Sequence, residues 1–235
     1  MESQIIVEDR YCGPLNNGNG GYTSGLLANS IEGTAEVTLR SPPPINAPMT
    51  IKREIDRLTL YSENVLIAEA TEAELDMIPP NPPKLEAARI STVKEEDVPG
   101  HYFPNCFVCG TERGVGDGLR IFPGPVKGED YLAAVWVPDP SLSDETGFIK
   151  DEVIWAALDC PGGWAILSRR MRFIILGRLA VQILRKITPG EECIVMGWTL
   201  SEAGRKFNAG TAICSADGRL VARGKATWIE FKQPQ

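Results

Sequence analysis

The sequence predicts an α+β protein in which two antiparallel sheets are each wrapped around a central helix. Three observations carry this reading. From Val153 to Leu167, apolar or small residues fall on every side of a helical wheel, and a helix apolar all round has to be buried. Thr34 to Arg40 alternates, with Ala35, Val37 and Leu39 on one face and Glu36, Thr38 and Arg40 on the other, the period of a half-buried strand. A short strand region, a helix and a run of antiparallel strands then occur twice, on either side of a proline-rich break.

In chain order, Gln4 to Arg10 reads as a first strand, and the Asn- and Gly-rich stretch after it as a loop. Tyr22 to Ser30 has room for about two helical turns that bury Leu26 and Leu27. Beyond Thr34 to Arg40 and the break at Pro42 to Pro44, Met49 to Asp56, Arg57 to Tyr61 and Val65 to Leu75 read as strands, the last two joined by a hairpin at Ser62-Glu63-Asn64. Between Ile78 and Gly100, five prolines and a charge run predict a surface linker. The expected organisation is therefore a first unit over 1–80, a linker over 81–104 and a second unit over 105–235. In the second unit Leu119 to Phe122 and Tyr131 to Val137 read as strands, and one helix follows over 151–168. Phe173 to Ile187, Glu192 to Leu200, Lys206 to Ser215 and Leu220 to Phe231 read as the remaining strands, with a tight turn at Ala216-Asp217-Gly218.

Composition bounds the function. The chain has 235 residues, 43% hydrophobic and 23% charged, with a net charge of −7 whose field repels nucleic acid and anionic membrane surfaces. No stretch approaches the roughly 18 apolar residues of a membrane-spanning helix, and the opening MESQIIVEDRY has neither a basic nor an apolar leader region, so a cytoplasmic protein is expected. In that setting the six cysteines are expected as reduced thiols rather than as a disulfide framework.

Asp159 is the exception on the apolar helix. A carboxylate there loses hydration, so it is either a paired structural acid or one kept for chemistry. Cys106-x2-Cys109 followed by Gly110 has the spacing of one zinc knuckle. That supplies two ligands; a full set needs His101 and a fourth group such as Cys12 or Cys160, and with no second CxxC neither metal nor cofactor is expected. No serine lies in a GxSxG elbow and His101 is the only histidine, which excludes an α/β-hydrolase triad.

Cys106-Phe107-Val108-Cys109-Gly110 and then Gly118-Leu119-Arg120-Ile121-Phe122 resemble the CFxCG…GLxLxF opening of small hotdog-fold thioesterases of the PaaI and hydroxybenzoyl-CoA type. Ala157-Leu158-Asp159 with Gly163-Trp164-Ala165 resembles their central-helix pattern. Gly20-Gly21-Tyr22 followed by Leu26-Leu27 looks like the helix start of the family's HGG element in the first half. Together the halves resemble a double hotdog, two units fused in one chain. Each departs from the pattern. Asn19 stands where the family often has His, Asp151-Glu152 stand where the second Gly pair belongs, and the first-half acid position falls at Ala28 with Asn29 beside it.

The resemblance implies one site shared between the halves. Free N–H groups near Gly20 and Gly21 would bind a thioester oxygen, and Asp159 would activate water or attack the carbonyl itself. Asn19 and its neighbours Asn16 and Asn17 are candidates to orient water or substrate. Arg169, Arg170 and Arg172 are candidates for coenzyme A phosphates, and Trp155 and Trp164 for an acyl tunnel. The expected function is acyl-CoA or acyl-thioester hydrolysis. The alternatives are a non-catalytic acyl-CoA or lipid-binding module, and a hotdog hydratase or dehydratase, which the missing active-site His disfavours. Expected partners are the thioester substrate and, in a homodimer, a second copy, with no nucleic acid and no membrane.

Overall fold

The computed structural model describes residues 3–98, 103–169 and 172–231. His101 and Arg170 lie outside the described residues. The first half runs β1 (Ser3–Ile6), α1 (Gly20–Ala28), β2 (Thr34–Leu39), β3 (Pro48–Arg53), β4 (Leu58–Ser62) and β5 (Val65–Glu72). After α2 (Leu85–Ser91) come β6 (Gly124–Pro125), β7 (Leu132–Trp136), α3 (Asp151–Ala157), α4 (Cys160–Leu167), β8 (Ile174–Ile183), β9 (Cys193–Ala203), β10 (Lys206–Ser215) and β11 (Leu220–Glu230).

The eleven strands of the described residues form one antiparallel sheet in the order β1-β3-β4-β5-β2-β8-β11-β10-β9-β7-β6. The join is β2 against β8, with Val37 opposite Leu179. Outward from it, β2-β5-β4-β3-β1 on one side matches β8-β11-β10-β9-β7 on the other. The two halves therefore share a topology, and the chain is a double hotdog whose two sheets meet edge to edge.

α1, α3 and α4 are buried, being built mostly of apolar and small residues. α1 and α3 cross where Gly21 and Gly25, one turn apart on a single face of α1, meet α3. A Cβ on Gly25 would lie 2.5 Å from Glu152 Cα, and one on Gly21 2.6 Å from Asp159 Cβ. Only glycine permits that approach. Along β9, Cys193 and Val195 join the helix-facing core while Ile194, Met196 and Trp198 face the other way, where Leu75, Met77 and Ala88 cover them.

Four elements differ from expectation. The first strand ends at Ile6, and a 3-10 turn over Asp9–Tyr11 replaces its second half. Leu119 to Phe122 is not a strand: Arg120 has φ 54°, and the N–H groups of Leu119 and Ile121 donate to the carbonyls of Phe107 and Val108. The segment expected as linker carries α2, which packs on β7 with Ala88 fully buried; the Thr92 hydroxyl accepts the Val135 N–H at 2.9 Å. Finally, the helix over 151–168 is broken in two, and the break builds the site.

Candidate active site

Pro161 causes the break. It has no N–H to donate, and in an unbroken helix its ring would collide with the carbonyl four residues back, that of Ala157. α3 therefore stops at Ala157 and α4 starts at Cys160, with Leu158 and Asp159 between them. The Leu158 carbonyl, left without a helical partner, accepts the hydroxyl of Thr211 at 2.9 Å from β10. Asp159 occupies the N-cap position of α4 yet makes no capping bond there. Its carboxylate turns to α1 instead, where Oδ2 accepts the Gly21 N–H at 3.0 Å and Asn19 Nδ2 at 3.3 Å. Asn19 is held by its own role, because its Oδ1 caps α1 by accepting the Tyr22 N–H at 2.8 Å.

Asp159 is 3% exposed. Burial pushes its carboxyl up to about 7, and the nearby Cys106 sulfur adds to this, while the Gly21 amide and the Asn19 side chain pull the other way. Its second oxygen, Oδ1, is buried without a hydrogen-bond partner among the described residues. The Gly20 N–H, first in α1, likewise has no acceptor among the described residues. An unpaired donor at a helix N-terminus is a ready partner for a developing negative charge.

These groups border a cavity of about 860 Å³. Its wall is mainly apolar, from Phe103, Trp164, Leu167, Leu176 and Trp228, and its polar end carries Asn17, Asn19, Gly20 and Asp159 beside Cys106, Cys109 and Cys160. The Trp228 indole N–H, also on the wall, is buried without an acceptor among the described residues.

The structure thus brings Asn19, Gly20 and Asp159 to one cavity, with Gly21 beside the acid. Of the two amides expected to be free for a carbonyl oxygen, that of Gly21 is taken by Asp159, because the close helix crossing aims the carboxylate at it. Only Gly20 remains. Asn16 is exposed, with φ 59°, and off the cavity, where Asn17 stands instead. Trp155 is buried in the α1–α3 crossing, near the position a Cβ on Gly25 would take, and forms no part of the cavity wall; Trp164 does. Arg169 pairs with Asp130 at 2.7 Å, away from the cavity. Arg172 reaches the cavity rim, but its guanidinium is held by Glu202 at 3.1 Å and Glu230 at 3.7 Å and stacks on Phe207 at 4.3 Å. The end of α4 directs these arginines at carboxylates on neighbouring strands and turns, so the expected cationic cluster is not assembled among the described residues.

The sequence does not point to Thr211 or Trp228. A Thr set inside the apolar run of β10 is the one signal for the first, and the structure buries it fully. At the symmetry-related position of the first half the acid is replaced by Ala28, and Asn29 Nδ2 donates to Glu152 Oε2 at 3.0 Å. That second position carries no buried carboxylate.

No protein-family profile matches the sequence, and no curated protein sequence matches it. Solved structures do. A tesB protein from Mycobacterium avium subspecies paratuberculosis superposes with a TM-score of 0.64 at 14% identity, covering 98% of this chain and 93% of that one. An acyl-CoA thioesterase II from Mycobacterium marinum gives 0.58 at 12%, over 98% and 93%. A conserved protein of unknown function with a hot dog fold from Alicyclobacillus acidocaldarius gives 0.61 at 13%, over 100% and 94%. At these identities the likeness establishes the double hotdog fold along the whole chain. No helix of the described residues is long and apolar enough to cross a membrane.

Proposed function

We propose that the protein hydrolyses an acyl thioester, of the acyl-CoA kind, in the cavity between its halves, with Asp159 as the base. The observation that carries the reading is the buried Asp159 carboxylate, with one oxygen fixed by Gly21 and Asn19 and the other unpartnered at the wall of an apolar cavity. The fold likeness to proteins named as thioesterases supports it.

The acyl chain occupies the apolar part of the cavity and brings its carbonyl to the polar end. Asp159 Oδ1 takes a proton from water as the water oxygen bonds to the carbonyl carbon. The carbonyl electron pair moves to its oxygen, and the Gly20 N–H at the start of α1 stabilises that charge, a contribution typically worth roughly 3–4 kcal/mol. Collapse breaks the C–S bond, and the proton held by Asp159 passes to the leaving thiolate. A carboxyl poised near neutral pH suits both transfers.

Thiol release from an acyl-CoA panel tests the proposal, comparing wild type with Asp159→Asn. Unchanged hydrolysis in the variant would overturn the assignment of Asp159. Tight binding without turnover in wild type would favour a binding module instead.

A further inference from the structure

The thiols of Cys106, Cys109 and Cys160 converge beside Asp159, and the mechanism above uses none of them. Their three sulfur atoms all lie within 4.8 Å of one another, and all three residues are buried. Cys106 Sγ and Cys160 Sγ are 3.7 Å apart. Bonded sulfurs in a disulfide would stand about 2.05 Å apart. Three thiolates placed tetrahedrally at about 2.3 Å from a central ion would stand roughly 3.8 Å apart. At the observed separation the Cys106 and Cys160 thiols are in direct contact, and the same spacing fits the second geometry.

The backbone is shaped for the same purpose. Cys106 to Cys109 form a tight turn closed by the Gly110 N–H, which donates to the Cys106 carbonyl at 2.8 Å. A Cβ on Gly110 would come within 2.4 Å of the Pro104 carbonyl oxygen, so the turn requires glycine there. The Cys109 and Cys160 thiols, and behind them the amides of Cys109 and Val108, lie within hydrogen-bond reach of the Cys106 sulfur. Cys160 arrives from the other side because the Pro161 break starts α4 at that residue. Cys12, the other cysteine weighed as a ligand, is engaged elsewhere: its Sγ lies 3.0 Å from the Asn105 carbonyl and 2.9 Å from Arg113 Nη2.

We propose that Cys106, Cys109 and Cys160 form a thiolate site for one zinc ion at the polar end of the cavity. Sulfur donors in this number select a soft or borderline ion over magnesium or calcium. All three cysteines border the cavity, so the ion would stand next to the bound thioester.

Cobalt(II) is the probe. The full-length protein, reduced with a phosphine and stripped of metal, is titrated with cobalt and followed by absorption. Wild type is expected to take up one ion per chain, with thiolate-to-cobalt charge-transfer bands and the visible bands of a tetrahedral ion, all abolished by added zinc. Cys106→Ser, Cys109→Ser and Cys160→Ser each lose the bands, while Cys193→Ser and Cys214→Ser keep them. Folded wild type that gives no thiolate band overturns the site, as do bands that survive in both Cys106→Ser and Cys160→Ser. The wild-type and Cys193→Ser results decide the matter even if a ligand variant fails to fold. The readout is independent of hydrolysis, so this site and the proposed reaction stand or fall separately.

Discussion

The Gly21 N–H donates to Asp159 Oδ2 at 3.0 Å across 138 residues of sequence. That bond ties the acid of one half to the helix start of the other, and it exists because neither Gly21 nor Gly25 has a side chain to hold the helices apart.

Gly21→Ala and Gly25→Ala are therefore expected to separate stability from activity. Each forces a methyl group against backbone of α3, and overpacking of this kind costs about 1–3 kcal/mol. Only Gly21→Ala also pushes on Asp159, so thermal melting is lowered in both while thiol release falls far more in Gly21→Ala.

If Asp159 is the base proposed above, it sets the pH response of metal-stripped protein. Its carboxyl is raised from 3.8 to about 7 by burial, and the base works only when deprotonated. Hydrolysis is expected to rise with pH up to about 7 and level off above it. Asp159→Asn loses about 10²–10⁴-fold and the pH limb with it. The stability effect has a definite sign. A folded-state value above the unfolded one favours the protonated form, so its contribution is fully present below about 4 and lost as pH rises through 7. At 1.36 kcal/mol per unit, about three units set an upper bound on the order of 4 kcal/mol. Asp159→Asn is thus more stable than wild type at pH 8 and similar to it at pH 4, as denaturant unfolding at the two pH values would show.

Asn19 has two tasks that substitution separates. Asn19→Ala removes both the cap on α1, worth about 0.5–2 kcal/mol, and the donor to Asp159. Asn19→Ser keeps a capping oxygen and removes the donor to Asp159. Melting is expected to recover in Asn19→Ser while activity at pH 7 stays low; recovery of both would remove Asn19 from the site.

Thr211→Val keeps the shape of β10 and removes the hydroxyl that serves the Leu158 carbonyl. A buried acceptor left alone costs about 1–3 kcal/mol. Because that carbonyl lies next to Asp159, kcat is expected to fall with KM little changed, and Thr211→Ser to restore it. A purely structural role would lower melting without that split.

Much of this was legible in the letters. The alternation of Thr34 to Arg40, the all-apolar wheel and the repeated element order each report local periodicity, which the sheet and helices obey. Asp159 stood out because a charged residue conflicts with an apolar helix. What stayed hidden depends on the third dimension. Pro161 could be read as a helix breaker, but the direction in which the break turns Asp159 depends on α1. Of Arg169, Arg170 and Arg172, the first and last pair with Asp130, Glu202 and Glu230, which are distant in sequence and adjacent in space. Cys160 joined Cys106 and Cys109 for the same reason, from 54 residues away.

A pair of identical subunits must carry every substitution twice, so it cannot lose one reaction centre and keep the other. Here the matched ends of the sheet belong to a single polypeptide, and Ala28 shows what that permits. The first half carries no acid there and instead supplies the Gly21 amide and the Asn19 side chain that hold the second half's Asp159, so matched positions of the two halves carry different residues.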